Sequence, residues 1–371
     1  MVIVILVIIV IIVIVQYRST LDPLGGIGFD YHTSKLLIEP DEEFEIVTTI
    51  TNTKRRFVPY IKLDQAFPVL LNIEGVTATM TNEAREYSRY MATLYLMPKS
   101  KHIRRVKASL PTRGRHLFQG AYMRGGDFLG FSDQLRKYNL LREVVVYPRA
   151  VEAGRIDIVM GGIMGDISVR RLVIEDPILT VGFRDYSGRE PMKAISWNHS
   201  ARVGKLMVKQ FDHTIDPAIT VMLDVEGSGL EGDSEKKELA FGLTRSVTQH
   251  LEDNGMKYDF LTNATTSDSI GRWSYISESI GVRHFSTIME GLGRATYTHV
   301  ESLTALSEAF VEKRLYDRFV ILITVKKSKA DVAKEVSYIE TRNGGKVFVI
   351  NAIIAGEGSN DESGILSETA G

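Results

Sequence analysis

The sequence has no cysteine, which removes disulfides, thiolate catalysis and cysteine zinc sites together. That absence fits a reducing compartment. An excess of one charge is missing too. The 45 Lys and Arg stand against 46 Asp and Glu, for a formal net charge of -1. Global charge therefore points to no nucleic-acid partner and no acidic tether. Gly161-Gly162-x-x-Gly165 lacks the Lys-Ser/Thr of a P-loop and reads as the turn linking two domains. No internal repeat is present, and no activated nucleophile stands out. The eight histidines are scattered. His199, His213 and Asp224 lie close in sequence, but their spacing matches no zinc pattern. They read as ordinary solvent-facing or hydrogen-bonded residues.

What is present begins with length. The 371 residues suffice for two globular domains plus appendages, and 44% hydrophobic with 25% charged residues is ordinary for a folded chain. Val2 to Val15 is an unbroken run of Val, Ile and Leu. At about 1.5 Å per residue it reaches only the low twenties of ångströms, against a hydrocarbon core of about 30 Å. A minimal span borrows Met1, Gln16 and Tyr17. No basic segment precedes the run and no small-x-small site follows it, which argues against a cleaved signal peptide. The run is also longer than an ordinary buried strand. The expectation is a transmembrane anchor over residues 1–17, contacting membrane lipid. Arg18 and Lys35 follow the run and no Lys or Arg precedes it, so the positive-inside rule puts the remainder at the cell membrane, facing the cytoplasm.

Residues 28–150 read as an antiparallel β-sandwich. Phe44, Ile46, Thr48 and Ile50 alternate with Glu45, Val47 and Thr49. Short strands around Met91–Leu96 and Val144–Tyr147 stop at prolines, and glycines punctuate the second half. Lys99, Lys101, Arg104, Arg105, Lys107, Arg113 and Arg115 form a basic stretch. It reads either as contacts to anionic lipid heads or as the solvated face of strands. From Ala218 the period changes. Apolar strands at Ala218–Leu223, Tyr258–Leu261, Phe319–Thr324 and Lys346–Ala352 alternate with helices. One helix carries Leu239, Leu243, Val247 and Leu251 on one face and stops at Asn254-Gly255. Others lie at Phe285–Ala295, Thr304–Lys313 and along Val332, Val336 and Ile339. That order predicts an α/β domain over 213–354, a Rossmann-like parallel sheet covered on both faces. Residues 151–212 connect the two domains, and 355–371, rich in Gly, Ser, Asp and Glu, read as a disordered tail.

The most specific stretch lies in that connector. Its scaffold is Tyr186, Arg189, Lys193-x-Ile195-x-Trp197-x-x-Ser200-Ala201-Arg202, then Leu206-x-Val208-Lys209. It resembles the signature of the domain-of-unknown-function family 58. Arg113-Gly-Arg, Gly126-Asp-Phe-Leu-Gly-Phe and Val146-Tyr-Pro resemble the β-domain of the same family. The resemblance implies a membrane-anchored protein that pairs a β-rich domain with a von Willebrand factor type A-like domain and works with a MoxR-type AAA+ ATPase. It also implies two N-terminal membrane helices. The single short run here then reads as a truncated start or a misassigned start codon.

Asp224-x-Glu226-x-Ser228 sits where the first parallel strand ends, the place where open α/β sheets bind ligands. In von Willebrand-type domains an Asp-x-Ser-x-Ser loop binds Mg²⁺ there, with a Thr and an Asp from later loops; such a cation wants about six oxygens. Asp224 and Ser228 match, but Glu226 replaces the first Ser. The later strand runs Leu322-Ile-Thr324-Val325-Lys326, without the Asp. The expectation is a degenerate metal site and no resident cofactor. In the signature, Tyr186, Arg189, Lys193, Trp197, Ser200, Arg202 and Lys209 form the candidate docking set, with Trp197 as aromatic anchor and Arg202 as a fork for a carboxylate. The alternative is structural: Trp197 packed under the sheet and Arg202 holding a loop by its own ion pair. The functional expectation is a non-enzymatic scaffold or adaptor. Two others remain open: a metal-dependent hydrolase using Asp224 and the nearby histidines, and an extracytoplasmic adhesion module if the topology is reversed.

Overall fold

The computed structural model describes residues 2–20, 22–74, 87–127, 133–173, 180–188, 190, 192–211, 218–227, 233–266, 274–314, 316–326 and 328–352. The acidic tail expected at 355–371 lies outside them. The chain divides into two units, Met1–Arg149 with Leu292–Arg294, and Ala150–Gly291 with Ala295–Gly371.

Helix α1 (Val2–Thr20) opens the first unit. Here the expected fold class is corrected: among the described residues no helix is long and apolar enough to cross a membrane. The apolar run ends at Val15, and the helix continues through Gln16, Tyr17, Arg18, Ser19 and Thr20. Its polar end is tied down by Gln16, whose side-chain amide donates to Asp127 at 2.5 Å. The rest of the unit is β-rich: β1 (Ile27–Thr33), β2 (Leu37–Ile38), β3 (Phe44–Asn52), β4 (Val58–Pro68), β5 (Asn72–Ile73), β6 (Tyr87–Leu96), β7 (Lys101–Ser109), β8 (Gly114–Phe118), β9 (Ala121–Gly126), β10 (Asp133–Tyr138) and β11 (Arg142–Val146). Two antiparallel sheets run β1-β3-β7-β5 and β10-β9-β4-β6, and a small mixed one runs β2-β11-β8. A strict period of two explains β3, which buries Phe44, Ile46, Thr48, Ile50 and Asn52 and turns the residues between them outward. The inward rows of these strands form one apolar cluster. Tyr31 sits in it fully buried, its hydroxyl donating to the Phe118 carbonyl at 2.7 Å. Burial pushes that phenol up to about 12.

The basic stretch of this unit is divided between the two faces of β7: Lys101, Arg105 and Lys107 alternate on the exposed face, and Arg104 lies on the other. Arg104 lies over the Tyr90 ring at 4.2 Å. Arg115 pairs with Glu143 at 2.7 Å; Lys107, exposed like Lys99, Lys101 and Arg105, lies 3.5 Å from Glu43.

The second unit begins with a further correction. The glycines expected to form a turn lie inside α2 (Ala153–Val173). Ile156, Val159, Met160, Ile163 and Ile167 recur at helical spacing and are all buried, which outweighs the poor helix propensity of glycine. Gly161 and Gly165 face open space, with nothing within 4 Å of an added Cβ. Strands β12 (Thr180–Asp185) and β13 (Met207–Phe211) pair antiparallel around α3 (Trp197–Val203).

Then come β14 (Ile219–Asp224), α4 (Asp233–Asp253), β15 (Tyr258–Thr262), β16 (Ala264–Thr266), β17 (Tyr275–Ser279), α5 (Val282–Arg294), β18 (Ala295–His299), α6 (Leu303–Glu312), β19 (Phe319–Thr324), α7 (Ala333–Asn343) and β20 (Val347–Asn351). The main sheet has the order β17-β15-β14-β19-β20. β15, β14, β19 and β20 are mutually parallel, but β17 joins antiparallel, so the sheet is mixed where a wholly parallel one was expected. β14 and β19 are buried at every position, the mark of strands covered on both faces. Met222, Val320 and Leu322 pack with Leu306 and Phe310 of α6 and Ile339 of α7, and α4 lies against β14 and β19. Asn254-Gly255 and Gly344 end α4 and α7; Gly255 and Gly344 have φ of 67° and 79°.

Because Gly161 and Gly165 weaken α2 without meeting any neighbour, replacing either with Ala is expected to stabilise the protein by about 1 kcal/mol. Thermal unfolding should rise by roughly 2–4 °C per substitution; a fall would place these residues outside a helix.

Candidate functional site

The carboxyl end of the main sheet carries the first candidate. β14 ends on Asp224, which has no exposed surface, so its carboxylate must be bonded within the protein. Oδ1 accepts from Asn263 Nδ2 at 2.8 Å and from the Glu226 backbone N–H at 3.0 Å, and Oδ2 accepts from Thr324 Oγ1 at 2.8 Å. Asn263 is itself fixed, its Oδ1 taking the Val225 N–H at 2.9 Å and its Nδ2 also reaching the Glu301 carbonyl at 3.1 Å. Burial pushes the Asp224 carboxyl above its ordinary range, against the pull of Thr324, the Glu226 N–H, Asn263 and Lys326.

Glu226 points elsewhere. It accepts from the Leu303 N–H at 2.9 Å, at the start of α6, and pairs with Lys326 at 2.8 Å. Partial burial would raise its carboxyl, but Leu303 and Lys326 outweigh that and hold it below the ordinary range. Burial likewise opposes the Lys326 charge, and Glu226 and Asp224 override it and raise the ammonium. An open cleft of about 360 Å³ lies beside this pair, lined by Glu226, Gly227, Asp233, Lys236, Lys326 and Asp331. A Cβ on Gly227 would come within 2.4 Å of the Asp233 carboxylate, so that side chain would have to shift.

Chemically this is a closed polar knot. Three neutral donors bond the buried carboxylate, and the nearby positive charge is the Lys326 ammonium. Ser228 lies outside the described residues. Among those described, no group of three or more His, Cys, Asp or Glu is arranged to hold a metal ion. His213 also lies outside, and His199 is stacked on Phe183, ring centroids 3.9 Å apart. Asn263 was not anticipated from the sequence. The signal for it was its place directly after a buried strand whose Thr262 pairs with Leu223.

The signature residues gather around the β12–β13 pair, and they divide into two kinds. Ser200 is buried; its Oγ donates to the Ser196 carbonyl at 2.8 Å and accepts the Met207 N–H at 2.8 Å. Ile195 and Val208 are buried and form a bridge between their backbones. The half-buried Tyr186 donates its backbone N–H to the Leu206 carbonyl at 2.9 Å. These residues hold α3 on the hairpin, and Gly204, at φ 73°, ends the helix. Glu190 closes the neighbouring loop through Ser187 Oγ at 2.7 Å and Arg184, which together hold its carboxyl down at about 2. The second kind faces solvent. Trp197 is 59% exposed, and Lys193, Arg202 and Lys209 are exposed as well. The indole is not packed under the sheet, and Arg202 makes no ion pair among the described residues. Arg189 lies outside the described residues.

Residues 182–309 match the family model described as "Protein of unknown function DUF58", which supports the resemblance drawn from Tyr186–Lys209. No curated protein matches the chain. Several solved structures give partial likenesses. A CARDB domain from Pyrococcus furiosus, in complex with di-metal ions, is 15% identical over 32% of this chain and 91% of its own, with a TM-score of 0.22. Native α2-macroglobulin from E. coli is 15% identical over 33% of this chain and 7% of its own, at 0.23. The major pilin subunit of Bacillus cereus is 12% identical over 33% and 41%, at 0.24.

Two outcomes are expected. Ser200→Ala leaves the Met207 N–H without its partner and should cost about 2 kcal/mol, while Trp197→Ala should stay within about 0.5 kcal/mol of the parent; urea titration of both variants compares them. Calorimetry of the whole chain with Mg²⁺ or Mn²⁺ should show no stoichiometric binding. Tight binding abolished by Asp224→Ala would mean that the knot opens to accept a cation.

Proposed function

We propose that this chain is a non-enzymatic adaptor that captures a MoxR-type AAA+ ATPase through the surface around Trp197, with Arg202, Lys193 and Lys209 beside it. The observation that carries the reading is the exposed indole on a helix pinned from its inner side. Leaving a tryptophan in water forgoes a burial worth about 2 kcal/mol or more, and such residues anchor interfaces when a partner covers them. The exposed cations beside it suit a partner carboxylate, Arg202 by its two-pronged geometry. The family resemblance supplies the class of partner, and an ATP-driven partner puts the work on the cytoplasmic side. No membrane anchor is part of the proposal.

The sealed carboxylate supports the non-enzymatic half of the reading. Asp224 is committed to Asn263, Thr324 and the Glu226 N–H. Glu226 is committed to Lys326 and Leu303. A general base must meet its substrate; Asp224 has no exposed surface, and Leu303 and Lys326 hold the Glu226 carboxyl below its ordinary range.

Capture of a purified MoxR-type ATPase by the immobilised chain is the test. Trp197→Ala and Arg202→Ala should each weaken capture about tenfold or more while melting as the parent does. Parent-like capture by both folded variants removes this surface from the docking reading. Hydrolysis of phosphate or ester substrates that disappears with Asp224→Ala replaces the adaptor with an enzyme.

A further inference from the structure

The surface around Trp197 is basic as well as apolar. From Met192 to Lys209 the chain carries Lys193, Arg202, Lys205 and Lys209 and not one Asp or Glu. All four cations are exposed, and none has an ion-pair partner among the described residues. Met192, Trp197, Val203 and Leu206 are exposed among them, at 67%, 59%, 51% and 44%. Unpaired like charges set around bare apolar side chains favour an acidic segment with a short apolar centre.

Residues 353–371 form a segment of this kind. They hold Glu357, Asp361, Glu362 and Glu368, no Lys or Arg, and an apolar pair at Ile365-Leu366. Both halves of the match lie in one unit: α3 is part of it, and so is β20, which ends on Asn351 just before the segment. The twelve residues from Ile353 to Gly364 reach up to about 40 Å when extended, enough to cross much of a compact unit of this size.

We infer that the acidic segment 353–371 docks on the Trp197 surface of its own chain, with Ile365-Leu366 against the indole and the carboxylates among Lys193, Arg202, Lys205 and Lys209. The inference rests on the reading of this surface as a docking site and adds its regulation. The segment holds the surface at high local concentration, and a partner engages by displacing it.

The test uses the two tryptophans of the chain. In a Trp273→Phe background, Trp197 is the single reporter. Removing residues 353–371 should move its emission to the red and raise its quenching by acrylamide, with the melting temperature unchanged. The full-length protein with Glu357, Asp361, Glu362 and Glu368 changed to Gln should show the same shift, and it decides the matter if the shortened protein loses its fold. A peptide of residues 353–371 should bind the shortened protein and reverse the shift. Its affinity should fall about tenfold or more with Arg202→Glu plus Lys209→Glu, and fall likewise in 0.5 M salt. Identical emission and quenching in the parent and the Gln-substituted protein overturn the inference. So does a shift that depends on protein concentration, which assigns the contact to a second copy. If the segment docks but no ATPase is captured after its removal, the inference stands and the adaptor reading falls. If an ATPase is captured equally with and without the segment, the adaptor reading stands and the inference falls.

Discussion

A carboxylate with no access to water organises the upper end of the main sheet. Asp224 closes a strand in which every residue is buried, and an ionised group there costs several kcal/mol unless its oxygens are bonded. The donors come from different pieces of chain: Thr324 at the end of β19, Asn263 just after β15, and the backbone of the loop that Asp224 itself starts. The ends of three adjacent parallel strands are thereby fastened to one side chain. Glu226 extends the fastening to the first turn of α6 and to Lys326.

The β12–β13 hairpin follows a different rule. Its ties are short-range and neutral: Ser200 bridging Ser196 and Met207, and the Ile195–Val208 bridge. These use up the inward side of α3 and leave its charged and aromatic residues outside. One short signature thus combines buried ties with exposed side chains, and the helical period alone does not divide them, since residues three apart are neighbours on one helix face. Ser200 lies three residues from Trp197, yet one is buried and the other bare.

Much of the second unit was legible because its strands are uninterrupted apolar runs, which few other elements produce. The helices that cover them announce themselves by leucines on one face and by glycine stops. Helix α2 was hidden because Gly161, Gly162 and Gly165 resemble punctuation, and only packing shows that its isoleucines decide. The antiparallel β17 was equally hidden, since strand direction is a property of pairing and leaves no local trace. The N-terminal run misled in the opposite sense: its composition is that of a membrane span, but its length is not. At the candidate site, Asp224 could be found from its position at a strand end, whereas Asn263 looked like any turn residue. Ser200 could be named from the signature but not assigned its task, because the Met207 amide it holds lies beyond the helix.

Lys326 gives the strand-end loop a property of its own. The positive charge that balances Glu226 and eases the burden on Asp224 is covalently part of the chain. It cannot be diluted, chelated or exchanged for another ion. A loop balanced by a bound cation depends on its surroundings for its counterion; here Lys326 supplies that charge to Glu226 from within the chain.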